Sequence, residues 1–325
     1  MTTPQHRIDS GFGRDSTAAE VLEGISLENR YAIVTGGYSG IGIETVRALT
    51  AAGAEVMVPA RRPDRAESAL AGLPGVEVEL LDLADLDSVR VLAERFLARD
   101  RAIDLLMNNA GIMAAPETRV GPGWESQFAT NHLGHFALTN RLWPAVARDG
   151  GARVVALTSS GHRLSDIRFD DLMFEHGYDK WQAYGQSKTA NSLFAVELDR
   201  LGRDAGVRAF AVHPGGIRTE LSRFLTEEEL AAAGFLDEHG NPKPGLFKTP
   251  EQGAATTLWA ATSPQLDGLG GVYCADCDIA DVMDEDAVIP PGGPGVFRHA
   301  VDPENAARLW AVSAELTGVN AFAAA

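Results

Sequence analysis

Residues 31–42 read YAIVTGGYSGIG, and this stretch decides the fold class. An apolar run over Tyr31–Thr35 leads into a turn with four glycines, and a helical pattern over Gly40–Ala52 follows it. Glycines at such a turn let the backbone approach a pyrophosphate, which the first N–H groups of the next helix can bind. A turn that is merely tight would gain nothing from four glycines, because each of them weakens packing. The stretch therefore predicts the first βα unit of a dinucleotide-binding fold.

The rest of the chain alternates short apolar runs with helical patterns, which is typical of a parallel sheet covered by helices. We predict strands at Tyr31–Thr35, Glu55–Pro59, Val76–Leu80, Ile103–Met107, Arg153–Thr158, Val207–Val212 and Gly271–Tyr273. The predicted helices include Gly40–Ala52, Leu86–Ala98, Trp124–Ala147 and Trp181–Leu201. Several strands are continuous apolar runs, so we expect them to be buried on both faces. The predicted fold class is α/β, with a doubly wound parallel sheet of the Rossmann type.

The length of 325 residues, 45% of them hydrophobic, suits one large domain. We predict a polar, loosely held arm at residues 1–28, a dinucleotide-binding catalytic domain at 29–285 and a C-terminal extension at 286–325. An N-cap, a first-turn proline and a first-turn acid at 302–304 predict a last helix that ends near Thr317.

Composition excludes several classes of partner. With 28 Lys and Arg against 45 Asp and Glu, the formal charge of −17 would repel nucleic acid and anionic membranes. The absence of a long apolar run or an apolar leader predicts a cytoplasmic protein. Cys274 and Cys277 lack further ligands or an early βαβ context, which favours free structural thiols over a zinc or redox site. No metal site is predicted, since packing or hydrogen-bonding roles are favoured for the scattered histidines His132, His135, His162 and His213.

Residues 184–188 read YGQSK and place a phenol and an ammonium one helical turn apart. A lysine about 4–6 Å from a phenol lowers the tyrosine pKa toward working pH, where general acid-base catalysis is effective. Alone, this spacing is weak evidence for catalysis, because a tyrosine and a lysine four residues apart occur on many solvated helix faces. Its position downstream of the glycine turn favours a catalytic role.

In their order, the motifs of this chain resemble those of the short-chain dehydrogenase/reductase family over about residues 29–285. They are Thr35–Gly42, Asn108–Gly111, Asn131–Phe136, Ser159–His162, Tyr184–Lys188 and His213–Thr219. Within the family they look most like the retinol-dehydrogenase-like branch, which has N-H-L-G-H-F, S-S-x-x-H and H-P-G motifs. Membrane-bound animal members of that branch carry an N-terminal anchor that this sequence does not show. The resemblance therefore does not identify the substrate of this protein.

The resemblance implies a catalytic set. Tyr184 would pass a proton to the substrate oxygen while the nicotinamide delivers hydride to the carbonyl carbon, and Ser160 would hydrogen-bond the same oxygen. Lys188 would lower the Tyr184 pKa and hold the nicotinamide ribose, and Asn131 would hold a water that links Lys188 to solvent. Periodicity does not choose between Ser159 and Ser160, because the preceding strand is apolar on both faces. The resemblance favours the second serine.

The end of the second predicted strand bears on the cofactor. Arg61 and Arg62 stand about 20 residues past the glycine turn, where an acid would bind the ribose of NAD and an arginine the 2′-phosphate of NADP. We predict NADP(H), with NAD(H) possible if both arginines are solvated helix-cap charges. Asp82 resembles an adenine contact but could instead cap the following helix. The predicted cofactor contacts are Gly36, Tyr38, Ser39, Gly40, Ile41, Gly42, Arg61, Arg62, Asp82, Leu83, Asn109, Ala110, Gly111, Tyr184, Lys188, Pro214, Gly215, Ile217 and Thr219.

Residues 222–250 form a Pro/Gly-rich insertion after the segment where the family's pocket opens. Its large apolar side chains are Phe224, Leu225, Phe235, Leu236 and Phe247. A capping box at Thr226–Glu229 predicts a short helix that ends near Gly234. We predict a mobile lid that determines a bulky, apolar substrate, and the alternative is a fixed surface excursion.

The sequence thus predicts an NADP(H)-dependent oxidoreductase that interconverts a ketone or aldehyde with an alcohol. One alternative is reduction of a carbon-carbon double bond in a polycyclic substrate. Another is a non-catalytic nucleotide sensor, which the complete catalytic set argues against. The resemblance also implies a homodimer that pairs through Trp124–Ala147 and Trp181–Leu201.

Overall fold

The computed structural model describes residues 3–323 apart from 233, 238, 244, 285 and 288–291. Its strands are β1 Tyr31–Val34, β2 Glu55–Ala60, β3 Val76–Leu80, β4 Leu105–Asn108, β5 Arg119–Val120, β6 Trp124–Glu125, β7 Arg153–Leu157, β8 Arg208–His213, β9 Val272–Ala275, β10 Asp278–Ile279, β11 Val282–Met283 and β12 Val296–Phe297. Its helices are α1 Ala18–Val21, α2 Gly40–Ala51, α3 Pro63–Leu70, α4 Leu86–Leu97, α5 Ser126–Phe128, α6 Gly134–Arg141, α7 Trp143–Val146, α8 Lys180–Gly202, α9 Glu227–Ala232, α10 Pro250–Thr262 and α11 Pro303–Thr317.

Within the described residues, the central sheet has eight strands in the order β10-β9-β8-β7-β4-β1-β2-β3. All neighbours pair in parallel except β9 and β10, which are antiparallel. The strand order reverses between β1 and β4, and ligands of such sheets bind outside the carboxyl ends of the strands at that point. The doubly wound α/β fold predicted from the sequence is confirmed.

Apolar side chains fill both faces of the sheet. One core cluster joins β1 and β4 to α4, α6, α8 and α11, and a second joins the same strands to α1, α2, α3 and α10. Burial on both faces explains why these strands are continuous apolar runs. The edge strand β3 is the exception, since Leu80 at its end is 57% exposed.

The segment predicted as one helix, Trp124–Ala147, is divided. It begins as strand β6, and the Glu125 carboxylate then caps α5 by accepting from the backbone N–H groups of Gln127 and Phe128 (2.9 and 2.7 Å). A π-helical turn over Ala129–Leu133 separates α5 from α6. Near the far end, α6 stops and α7 starts anew because Pro144 has no N–H to continue the helix.

The N-terminal arm is held against the sheet, contrary to the loose arm predicted. The Gln5 side chain accepts from the Tyr273 amide and donates to the Tyr273 carbonyl, both at 2.9 Å. The buried Asp278 carboxylate accepts from the amides of Ile8 and Ser10. These contacts satisfy the backbone at the β9–β10 edge, so the polar composition of the arm reflects hydrogen bonding with that edge.

The last helix begins where predicted, with Asp302 accepting from the Asn305 amide at 2.8 Å. Its Trp310 ring stacks on Phe194 of α8, with centroids 5.7 Å apart, and meets Phe136 of α6 edge-on at 4.8 Å. The helices predicted to pair two copies are therefore covered by α11 of the same chain. No helix of the described residues is long and apolar enough to cross a membrane.

Candidate active site

The glycine turn after β1 has the tight geometry that its sequence predicts. A Cβ on Gly42 would lie 2.4 Å from the Gly36 carbonyl oxygen, so a side chain there would force the turn open. Gly36 itself has a φ of 65°, a left-handed conformation that favours glycine. The Thr35 hydroxyl accepts from the amides of Asn109 and Ala110, both at 2.9 Å, which joins the turn to the loop after β4. Two neighbouring strand ends are thereby fixed around one crevice.

A cavity of about 480 Å³ opens at these strand ends. Every residue predicted to contact the cofactor lines it, from the glycine turn to the Pro214–Thr219 loop after β8. Ser39, the N-cap residue of α2, makes no side-chain hydrogen bond to the first helical turn. The glycine cradle and a helix N-terminus without a side-chain cap fit the pyrophosphate of a dinucleotide.

Tyr184 lies on α8 against the backbone of the turn after β7. A Cβ on Gly161 would lie 2.6 Å from Cε1 of Tyr184 and 3.4 Å from Oγ of Ser159, so the two side chains meet there. Ser159 Oγ accepts from the Gly161 amide at 3.0 Å. Ser160 instead donates its backbone N–H to His213.

The structure therefore brings Ser159 to Tyr184, where the sequence predicted Ser160, and makes Ser159 the candidate serine. Ser159 is the extended N-cap residue of a 3-10 turn over Ser160–Leu164, and the chain changes direction between the two serines. The signal in the sequence was Gly161, because only a residue without a side chain lets the Tyr184 ring approach this turn.

Burial dominates the electrostatics of Tyr184 and Lys188. It raises the pKa of Tyr184 to about 12, against the smaller opposite effect of Ser159. Burial lowers the pKa of Lys188 to about 8. The Lys188 ammonium lies 5.7 Å from the Tyr184 ring centroid and donates to the Leu157 carbonyl at 2.9 Å. The predicted lowering of the tyrosine pKa by Lys188 is not seen in this structure, where burial raises that pKa and the ammonium donates to the Leu157 carbonyl.

Asn131 lies in the π-helical turn, fully buried behind the cavity wall. Its side-chain amide accepts from the Ile112 N–H and donates to the Ile112 carbonyl, both at 2.9 Å, and also donates to Ser187 Oγ. A Cβ on Gly111 would lie 3.2 Å from Asn131 Oδ1 and 3.6 Å from Lys188 Nζ. The structure thus brings Asn131 and Lys188 together at Gly111, and it gives Asn131 a bracing contact that the sequence did not predict.

Arg61 and Arg62 follow β2 directly and line the cavity. Within the described part of the chain, neither guanidinium makes a hydrogen bond or an ion pair, and Arg62 at the N-cap position of α3 makes no capping bond. Burial, and then repulsion from Arg61 and Arg62, lowers the pKa of Arg223. Three cations that converge in a protein of charge −17 fit an anion in this part of the cavity.

Described residues of the segment 222–250 also form part of the cavity wall. Thr226 and Glu229 form the predicted capping box, with Glu229 N to Thr226 Oγ1 at 3.2 Å and Thr226 N to Glu229 Oε2 at 3.0 Å. The rings of Phe235 and Phe247 lie 5.7 Å apart and face the cavity. Phe224 is 38% exposed and does not line it, contrary to the prediction. The sequence did not predict four further apolar lining residues, which are Leu230 and Pro242 of this segment and Met113 and Leu221 outside it.

The remaining predictions concern single polar residues. Asp82 accepts from the Ala84 amide, whereas Asp85 caps α4, so the capping alternative for Asp82 is excluded. The four histidines are buried and hydrogen-bonded, as expected. Cys274 and Cys277 are free and buried. Over the described residues, no cluster of His, Cys, Asp or Glu could hold a metal ion.

Comparison with known proteins places the chain in a family. The family model described as short chain dehydrogenase matches residues 30–230. A Streptomyces lividans protein named "Probable oxidoreductase" is 46% identical over 299 residues, 90% of this chain and 98% of the relative. Retinol dehydrogenase 12 of Mus musculus is 36% identical over 91% of this chain and 88% of its own length. A solved structure from Mycobacterium Paratuberculosis is 35% identical, with a TM-score of 0.72, over 94% of this chain and 98% of that one.

The chain belongs to the short-chain dehydrogenase/reductase family and resembles its retinol-dehydrogenase branch. It is an oxidoreductase of a family that uses the nicotinamide cofactors NAD(H) and NADP(H).

Proposed function

We propose that this protein interconverts a carbonyl and an alcohol on a bulky apolar substrate with NADP(H), and that Tyr184 is the general acid and base. The observation that carries the proposal is the meeting of Tyr184, Ser159 and Lys188 on one cavity. The glycine turn and apolar side chains of the segment 222–250 line the same cavity.

The bound nicotinamide would supply or accept the hydride at the carbonyl carbon. Tyr184, with its pKa raised by burial to about 12, keeps its proton at neutral pH and can donate it to the substrate oxygen. Ser159 would hydrogen-bond the same oxygen as negative charge develops on it. Lys188, with a pKa of about 8, remains a cation at pH 7 and would hold the ribose of the bound nicotinamide. A hydride and this proton together convert the carbonyl into an alcohol.

NADP(H) is the proposed cofactor because Arg61 and Arg62 line the part of the cavity where a 2′-phosphate would lie. Replacing both by alanine removes the charge-assisted bonds to that phosphate, so NADP(H) binding should weaken while NAD(H) binding changes little. Arg90→Ala, an exposed site on α4, is the control and should change neither. A wild-type enzyme that prefers NAD(H) in a direct kinetic comparison would overturn this assignment.

The bulky apolar substrate is proposed from the wall that holds Phe235 and Phe247. A panel of bulky apolar ketones and alcohols, followed by nicotinamide absorbance and product analysis, tests the reaction. Formation of an alcohol from a ketone supports the proposal. A saturated ring with an unchanged ketone would favour carbon-carbon double-bond reduction, and cofactor binding without any turnover would favour a sensor.

A further inference from the structure

The peptide group between Ser159 and Ser160 is held on both sides by histidine rings. Its carbonyl oxygen lies 2.7 Å from Nδ1 of His162. Its N–H, on the opposite side of the trans peptide, donates to Nδ1 of His213 at 3.3 Å. This is the peptide that carries the serine next to Tyr184.

The partners of His213 fix its protonation. Nδ1 faces two backbone donors, the N–H groups of Ser160 and Gly215 (3.3 and 3.4 Å), so this nitrogen must be an acceptor without a proton. Nε2 faces the Gly292 carbonyl at 3.1 Å, and a carbonyl can only accept, so Nε2 must carry the proton. His213 is therefore a neutral ring protonated on Nε2.

The partners of His162 require the opposite tautomer. Nε2 accepts from the Phe297 amide at 3.1 Å, so it has no proton. Nδ1 faces the Ser159 carbonyl and must donate to it. Burial lowers the pKa of His162 to about 3 and that of His213 to about 4, so both rings stay neutral at physiological pH.

The far sides of both rings contact the C-terminal extension. His213 reaches Gly292 and His162 reaches Phe297, so the extension supports the serine peptide through the two rings. Protonation of His213 on Nδ1 would remove the acceptor of the Ser160 and Gly215 amides and leave two backbone donors without this partner. Each ring can therefore satisfy the backbone groups on both of its sides in only one protonation state.

We infer that His162 and His213 are positioning residues, which act as neutral rings of opposite tautomer to hold the Ser159–Ser160 peptide so that the Ser159 hydroxyl meets Tyr184. The inference rests on the proposed function for its kinetic consequence. It assigns the C-terminal extension at Gly292–Phe297 a part in supporting the active site, although the extension supplies no group to the reaction.

Paired variants of His213 separate positioning from packing. Asparagine can place its oxygen near Nδ1 and keep an acceptor for the Ser160 amide, whereas glutamine can place its amide near Nε2 and loses that acceptor. We expect His213→Asn to keep kcat within about threefold of wild type, and His213→Gln to lower it about 10- to 100-fold with a small change in KM. Equal kcat values for the two variants, whatever their Tm, would overturn the inference.

The control is His132→Gln. His132 is also a buried histidine that contacts the C-terminal extension, through Ser313 Oγ at 2.7 Å, but it does not touch the serine peptide. This variant should lower the Tm and leave kcat within about threefold of wild type. A loss of kcat equal to that of His213→Gln would show that any loosening of the extension has the same effect, and would contradict a specific role for His213.

Nitrogen-15 NMR of histidine-labelled protein tests the tautomers without any turnover. We expect a proton on Nδ1 of His162 and on Nε2 of His213 at neutral pH, with each signal assigned by its loss in His162→Asn or His213→Asn. The same tautomer on both rings, or a charged ring, would overturn the inference. If the two rings have opposite tautomers but the protein reduces no carbonyl, the proposed function is contradicted. The hydrogen bonds between the two histidines and the Ser159–Ser160 peptide would still be supported.

Discussion

Gly161 shows how one residue sets the geometry of this site. The space that its side chain would occupy is filled by the Tyr184 ring and bordered by Ser159 Oγ. Because Ser159 Oγ already accepts from the Gly161 amide, its own proton can be donated to the phenol or to a substrate oxygen. The glycine thus brings a proton donor and its hydrogen-bonding partner together on the cavity.

At the residue scale, the two adjacent serines give a direct comparison. We expect Ser159→Ala to lower kcat about 10²- to 10³-fold, because it removes a donor aimed at the developing oxyanion. Ser160→Ala should have a much smaller effect, since Ser160 acts through its backbone N–H, which alanine keeps. Steady-state kinetics of both variants decide the matter, and a larger loss in Ser160→Ala would return the role to Ser160.

Lys188 gives a pH-dependent prediction. Its pKa is lowered from 10.5 to about 8, so the cost of burying its charge is fully present below pH 8, falls as pH rises, and is gone above 10.5. Lys188→Met should therefore raise the Tm at pH 7, because it increases the free energy of unfolding by an amount on the order of a few kcal/mol at most. The difference in Tm between the variant and wild type should be smaller at pH 10. The Leu157 carbonyl keeps its second donor, Asn191.

Thermal unfolding at the two pH values measures this difference, with the exposed Lys243→Met as control. Lys188→Met should also abolish turnover. A variant that is less stable than wild type at pH 7, or whose advantage is the same at pH 10, would contradict the burial cost assigned to Lys188.

The sequence predicted side chains whose chemistry is set by their spacing. Tyr184, Lys188 and the glycine turn belong to this group. The choice between Ser159 and Ser160 depends on the backbone direction after a strand buried on both faces, which residue type does not reveal. The pKa of Tyr184 depends on how much solvent the folded chain excludes, so the distance to Lys188 alone does not give the direction of its shift.

At the scale of elements, the strands of the central sheet apart from β10 were predicted, most of them because two-sided burial leaves an apolar run. The short strands β5, β6, β11 and β12 were not predicted. The helical segment over Trp124–Ala147 was predicted poorly. Its apolar periodicity continues through a strand, a capped turn and a π-helical turn, and only Glu125 as a cap and Pro144 as a break mark the divisions. The π-helical turn matters for function because it carries Asn131 to Ile112.

The segment over residues 222–250 supports a prediction about substrate size. Phe235→Ala and Phe247→Ala should raise KM for a bulky apolar ketone about tenfold or more, because each removes apolar surface worth about 1.5–3 kcal/mol when buried. A small ketone should show little change. Phe224→Ala is the matched control, since Phe224 is exposed and lies off the cavity. The same KM in all three variants would rule out this wall as a substrate contact.

The mobility of the same segment remains a proposal that limited proteolysis can test. A lid should be cut within residues 222–250 in the free enzyme and protected by NADPH with substrate. Equal cleavage with and without ligands would favour a fixed wall. Glu229 is paired with Lys180 at the start of α8, the helix that carries Tyr184, so the segment contacts the catalytic helix directly.

At the scale of the whole molecule, α11 changes what the surface can do. Trp310 covers α6 and α8, the helices from which a homodimer was predicted, and the exposed large apolar side chains of the described residues are scattered singly. We therefore expect light scattering at micromolar concentration to give one chain, 34.6 kDa. A mass of twice that value would contradict this expectation and would require an interface elsewhere or displacement of α11.

The measurement that tests the central claim most directly compares wild type with Tyr184→Phe on one bulky apolar ketone and NADPH. We expect wild type to form one alcohol for each NADPH oxidised, and Tyr184→Phe to lose about 10²- to 10⁴-fold in kcat with NADPH affinity nearly unchanged, because the variant lacks the proton donor but keeps the cavity. A Tyr184→Phe enzyme that retains more than about a tenth of wild-type kcat would contradict the role of Tyr184 and with it the proposed mechanism.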